Sequence, residues 1–70
     1  MARPMTVTGR YGKYRDWALN LAVEYDDSDE GRLTALVVLW RCCREVGPQE
    51  DFKAVARPLI VNALERERVA

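Results

Sequence analysis

Apolar residues recur at steps of three and four along the first third of the sequence. This spacing predicts an amphipathic helix between Arg10 and Tyr25, because about 3.6 residues complete one helical turn. The predicted inner stripe, with Trp17 beside it, consists of Tyr11, Tyr14, Ala18, Leu21, Ala22 and Tyr25. Leu19 and Val23 fall on the opposite side, which indicates that this helix is covered on more than one face.

The middle of the chain is apolar around most of a helical circumference. We expect a helix from about Asp29 to Val46, ended by Gly47 in the left-handed conformation and by Pro48, which cannot continue a helix. One predicted face holds Leu33, Leu36, Val37, Trp40 and Cys43. Further apolar groups on other faces are Ala35, Val38, Leu39, Cys42 and Val46. The segment is therefore predicted to be the central helix of the fold.

Proline divides the last third of the chain. A helix fits Gln49 to about Arg57, and Pro58 then removes a backbone donor and crowds the preceding turn, so the helix kinks or ends there. The predicted inner side chains are Phe52, Val55, Ala56, Leu59, Ile60, Ala63 and Leu64. We therefore expect an all-α fold: a small bundle of three helices with the third broken at Pro58, or equivalently four short helices.

Length and composition are those of one small domain. We expect residues 1–9 to form an irregular leader and residues 10–70 to form a single helical domain. A chain of 70 residues buries little surface for its size, and with 49% apolar residues it often completes its core by self-association. Eleven basic and eleven acidic residues cancel, so no global charge favours nucleic acid, a membrane surface or an acidic substrate.

The sequence offers little material for catalysis. It has no histidine, and Cys42 and Cys43 alone supply too few ligands for a metal site. Adjacent cysteines on a helix point about 100° apart and do not bridge easily. Their place near a helix C-terminus does not activate a thiol, so we expect Cys43 in the core and Cys42 in a flank or interface. We predict no catalytic, cofactor-binding or metal-binding residues, no cofactor, no small-molecule substrate and no enzymatic activity.

Cysteine usage and hydropathy bear on location. Two unbridged thiols favour a reducing compartment. The longest apolar run, residues 35–40, is too short to cross a bilayer, and the N-terminus has no secretion signal pattern. We expect a cytoplasmic protein with no membrane partner.

Acidic residues cluster at the turn before the second helix. Asp27 and Glu30 have capping-box spacing, while Ser28 or Asp29 could equally cap the helix. The cluster lacks the ligand pattern of a calcium loop. Its negative charges interact favourably with the positive N-terminal end of the following helix, and they could also contact a basic partner.

Basic and aromatic residues interleave at the start of the first helical stripe. Phosphate contacts and base stacking use such residues in single-stranded nucleic-acid binding, with Arg10, Tyr11, Lys13, Tyr14 and Arg15 as candidates. The tyrosines also continue the core stripe, which is the interpretation we favour. Basic residues at a helix start oppose the helix dipole, unless Asp16 is the true N-cap and residues 10–15 form an arm. Such local inconsistencies sometimes mark functional surfaces.

Surplus apolar residues on the first two helices predict a contact surface. We expect a small helical protein–protein interaction module, such as an adaptor, inhibitor or regulator, that is homodimeric through these faces. The expected interface residues, which include the acidic turn for steering, are Leu19, Val23, Val38, Cys42, Asp26, Asp27, Asp29 and Glu30. A nucleic-acid-binding regulator that uses the 10–15 segment is the alternative.

Overall fold

Three helices make up the fold. A computed structural model of the chain describes residues 6–47 and 49–69, with side chains described through residue 66. The helices are α1 (Val7–Tyr25), α2 (Asp29–Glu45) and α3 (Phe52–Val69). The all-helical prediction is confirmed: no strand occurs in these two ranges.

Helix α1 begins earlier than predicted. Thr6 is its N-cap, and the Thr6 hydroxyl accepts a hydrogen bond from the Gly9 amide at 3.0 Å. This cap satisfies an amide that would otherwise have no partner, so the helix starts at Val7 rather than at Arg10. Residues 7–9 of the predicted leader are therefore helical, and residues 1–5 lie outside the described chain. The alternative of a non-helical arm over residues 10–15 is wrong.

A tight turn joins α1 to α2. Ser28, one of the three candidate caps, is the N-cap of α2, and its hydroxyl accepts from the Gly31 amide at 3.0 Å. Gly31 is buried against the turn: a Cβ atom at this position would lie 2.5 Å from the carbonyl oxygen of Asp26. The turn therefore needs a residue without a side chain one helical turn into α2.

Helix α2 ends without a left-handed residue. It closes at Glu45 with Val46 in an extended conformation, and no glycine in the described ranges has a positive φ. The predicted left-handed Gly47 is therefore wrong. The carbonyl groups at this helix end bind a side chain of α1 instead.

Helix α3 runs continuously through Pro58, so the predicted break is not confirmed. The helix begins at Phe52, after Asp51 caps it with a carboxylate 3.4 Å from the Ala54 amide nitrogen. Proline at position 58 removes the hydrogen bond to the Ala54 carbonyl. Both residues are exposed, so water can reach the carbonyl group and the helix continues.

The core lies on one face of each helix. Its buried members are Ala18, Leu21 and Ala22 of α1; Ala35, Leu39, Cys42 and Cys43 of α2, with Val46 after it; and Phe52, Ala56, Ile60 and Leu64 of α3. Four of these residues are fully buried alanines, whose small side chains let the helices approach closely. The predicted α1 stripe is confirmed, since its other members pack against this core.

Four residues on the predicted apolar faces of α2 and α3 are exposed. On α2 the core face is the one through Ala35 and Leu39, while Leu33, Val37 and Trp40 are exposed. On α3, Leu59 is 49% exposed. The periodicity did not separate these faces because α2 is apolar on several sides. Its core face packs against residues of α1 and α3 that are distant in sequence.

Replacement of Gly31 by alanine is expected to lower the free energy of unfolding by about 1–3 kcal/mol, because the new Cβ must displace the Asp26 backbone. Gly12 is the matched control. It lies in the interior of α1, and a Cβ atom there would meet nothing within 4 Å apart from its chain neighbours and the nearby backbone of its own helix, so alanine should stabilise the chain by about 0.5–1 kcal/mol. Urea denaturation of both variants measures the difference. Equal effects of the two substitutions would contradict the described turn.

Candidate interaction surface

The exposed side of α2 carries three large apolar side chains. Leu33 is 64% exposed, Val37 is 53% exposed and Trp40 is 41% exposed. Their spacing of four and then three residues places them along one line of the helix surface. We call these three residues the α2 stripe. Leu39, in contrast, is fully buried on the core side of the same helix.

An open pocket lies beside the α2 stripe. It has a volume of about 370 Å³ and is lined by the three stripe residues together with Leu36 and Tyr11 of α1. The Tyr11 and Trp40 rings meet edge to face with centroids 5.4 Å apart. This contact covers part of the indole, and Trp40 still stays 41% exposed.

Arg10 of α1 binds the C-terminal end of α2. Its Nη1 donates to the Val46 carbonyl at 2.6 Å and to the Cys43 carbonyl at 3.3 Å, and its Nη2 donates to the Gly47 carbonyl at 3.2 Å. The last carbonyls of a helix lack intrahelical partners and carry partial negative charge, which a cation compensates. The basic charge in the first turn of α1 is unfavourable for the dipole of α1 itself. It instead stabilises the C-terminal end of α2.

The same guanidinium also reaches α3. Arg10 lies over the Phe52 ring at 5.1 Å from its centroid, and the Tyr14 ring stacks on Phe52 with centroids 4.3 Å apart. The Gly47 amide donates to the Glu50 carboxylate at 2.8 Å, which closes the turn between α2 and α3. One side chain thus joins all three helices and holds α2 with its stripe facing outward.

Only some of the expected interface residues are exposed. Cys42 is 2% exposed and lies in the core, so it is buried together with Cys43, and Val38 is a partly buried residue that packs against the core. Leu19 is also partly buried, whereas Val23 is 47% exposed. The α2 stripe belongs instead to the predicted face that also holds Cys43, the residue expected in the core. The signal that identifies the correct face is the Arg10 contact, which joins residues 36 positions apart and leaves no local pattern.

The acidic turn is partly neutralised within the chain. Arg32 pairs with Asp27 at 2.6 Å and with Asp29 at 3.3 Å. Asp26 is partly buried, and its carbonyl accepts a hydrogen bond from the Ser28 amide. Glu30 remains exposed one turn before the α2 stripe.

The 10–15 segment is largely occupied by contacts inside the molecule. Arg10 and Tyr14 bind α2 and α3 as described, and Tyr11 supports Trp40. Lys13 and Arg15 are exposed on α1, with the Lys13 ammonium 5.4 Å from the centroid of the Tyr14 ring. Two of the five candidate nucleic-acid-binding residues are thus exposed cations.

The two thiols are in an apolar environment. Burial raises the pKa of Cys42, and the neighbouring Cys43 and Glu45 raise it further. Burial also raises the pKa of Cys43, although the Arg10 charge opposes the shift. Both groups therefore stay protonated at neutral pH, in the form that is a poor nucleophile.

Metal-ligating clusters and membrane spans are both absent from the described part of the chain. No cluster of three or more cysteine, aspartate or glutamate side chains there could hold a metal ion. None of the helices there is both long and apolar enough to cross a membrane.

The sequence matches no protein-family model, and comparisons with curated proteins and with solved structures give no significant match.

Loss of the Arg10 fork is expected to destabilise the chain. Arg10→Met keeps most of the aliphatic length but leaves three carbonyls at the end of α2 without their charged donor, so unfolding should become easier by about 1–3 kcal/mol. Arg15→Met, on the exposed side of the same helix, is the matched control and should change stability by less than about 0.5 kcal/mol. Urea denaturation compares the two. Similar stability of both variants would show that the fork does not hold the helices together.

Proposed function

We propose that the chain is a non-enzymatic protein–protein interaction module, an adaptor, inhibitor or regulator, whose contact surface is the α2 stripe. The observation that carries this proposal is the exposure of Leu33, Val37 and Trp40 along one line beside an apolar pocket. Scattered exposed apolar residues are ordinary on protein surfaces. A contiguous group with a pocket is typical of binding surfaces.

The composition of the stripe suits protein recognition. Tryptophan and tyrosine are enriched where partners bind, because they bury a large area with few rotatable bonds. Trp40 and Tyr11 are already held against each other, so little side-chain freedom is lost when a partner covers them. Trp40 is not part of the core and stays 41% exposed.

The state of the thiols supports the non-enzymatic part of the proposal. Cys42 and Cys43 are the strongest nucleophiles available in principle, and burial keeps both in the neutral form. Free thiols of this kind also favour a reducing compartment, and we propose a cytoplasmic location on that ground.

The nucleic-acid alternative has weaker support. Five basic and aromatic residues were candidates for binding nucleic acid. Of these, the guanidinium of Arg10 and the ring of Tyr14 are engaged in contacts within the molecule. Only Lys13 and Arg15 remain as exposed cations. Affinity for nucleic acid grows with the number of phosphates that a protein neutralises, so two cations support only weak binding.

Affinity capture from the native host tests the proposal with three baits: the unchanged chain, Val37→Glu and Leu59→Glu. Val37→Glu places a charge in the middle of the stripe. Leu59→Glu is the matched control on α3, since Leu59 is similarly exposed but does not line the pocket. Partners, including native copies of the chain, should bind the unchanged and Leu59→Glu baits and not Val37→Glu, with or without nuclease treatment.

Two results of this capture would contradict the proposal. Equal binding to all three baits would place the contact elsewhere on the molecule. Binding that disappears after nuclease treatment would favour the nucleic-acid alternative. Circular dichroism should show unchanged helicity in both variants, because neither residue lies in the core.

A further inference from the structure

The α2 stripe continues into one charged residue at each end. Glu30 lies three residues before Leu33, and Arg44 lies four residues after Trp40. The five residues therefore follow alternating steps of three and four, the spacing of a helix–helix seam. All five are exposed. The line runs from acidic through apolar to basic.

The two charged ends of this line are placed symmetrically about Val37. Glu30 and Arg44 each lie seven residues from it, which is about 10 Å along the helix in either direction. Reversal of the helix direction about Val37 therefore exchanges an acidic position for a basic one. Two such helices, laid antiparallel, place opposite charges against each other at both ends.

We propose that the α2 stripe binds a second copy of this chain, with the two α2 helices antiparallel and the twofold axis passing near Val37. This inference rests on the proposed function and names its partner. Glu30 then faces Arg44 of the second copy at both ends of the contact. The stripes bury each other, and the pocket beside Trp40 receives a side chain of the second copy.

Charge complementarity distinguishes this arrangement from the parallel one. A parallel pair would place Glu30 against Glu30 and Arg44 against Arg44, which is repulsive at both ends. Antiparallel helices also bring the positive end of one dipole near the negative end of the other. Within the described residues neither Glu30 nor Arg44 forms an ion pair, whereas Asp27 and Asp29 are both paired with Arg32.

Sedimentation equilibrium of charge-reversed variants tests the arrangement. The unchanged chain of 8.0 kDa should sediment as a dimer at micromolar concentration. Glu30→Arg and Arg44→Glu each turn two attractive contacts into two repulsive ones, so each should raise the dimer dissociation constant roughly tenfold. The double variant, which carries both changes, restores the attractive contacts and should associate like the unchanged chain.

Apolar variants separate this inference from the proposed function. Val37→Glu places two carboxylates together at the axis and should give monomers, while Leu59→Glu should remain dimeric. If Val37→Glu gives monomers but charge reversal has no effect, the stripe is the contact and the antiparallel arrangement is wrong. If the unchanged chain is a monomer at high micromolar concentration, the second copy is not the partner. The proposed function then stands only if the stripe captures another protein.

Discussion

The attachment of Arg10 to the end of α2 is the contact on which the rest of the structure depends. The guanidinium binds three carbonyls of α2 and the turn after it, and it lies over the first aromatic ring of α3. A chain of this size has little buried area to hold three helices in one arrangement. A charged fork that spans all three elements adds directional bonds to a core that includes four fully buried alanines, and it holds α1 against the end of α2.

Local chemistry explains most of what the sequence could predict. Apolar residues at steps of three and four predicted the inner stripe of α1. The hydroxyl and carboxylate residues before α2 predicted where that helix begins. The face of α2 could not be read in this way, because Leu33 and Leu39 are equally apolar and lie on different sides. What separates them is packing against residues far apart in sequence: Leu39 lies in the core with residues of α1 and α3, and Arg10 of α1 binds the Val46 carbonyl after α2. In the sequence, this contact was visible only as an unfavourable basic charge at the start of α1. That charge is explained by the contact of Arg10 with the end of α2.

The correction of this face also changes the candidate site. Cys42 and Val38 move from the expected interface into or against the core, and Leu33, Val37 and Trp40 move from the expected core to the surface. The expectation of surplus apolar surface therefore stays, while the residues that carry it differ. The charged residues of α2 divide in a similar way. Asp27 and Asp29 pair with Arg32 at the start of the helix. Glu30 and Arg44 lie at opposite ends of the exposed stripe, so its two ends differ in charge.

Isotope-filtered nuclear Overhauser spectroscopy on a mixture of labelled and unlabelled chains tests most directly whether the outward face of α2 binds its own copy. Such spectra detect only protons that are close across two different molecules. Contacts from the Val37 methyl groups to Leu33, Val37 or Trp40 of the other molecule are the predicted result. Intermolecular contacts that involve Leu59 of α3 and spare Val37, or none at concentrations where the chain is fully folded, would contradict it.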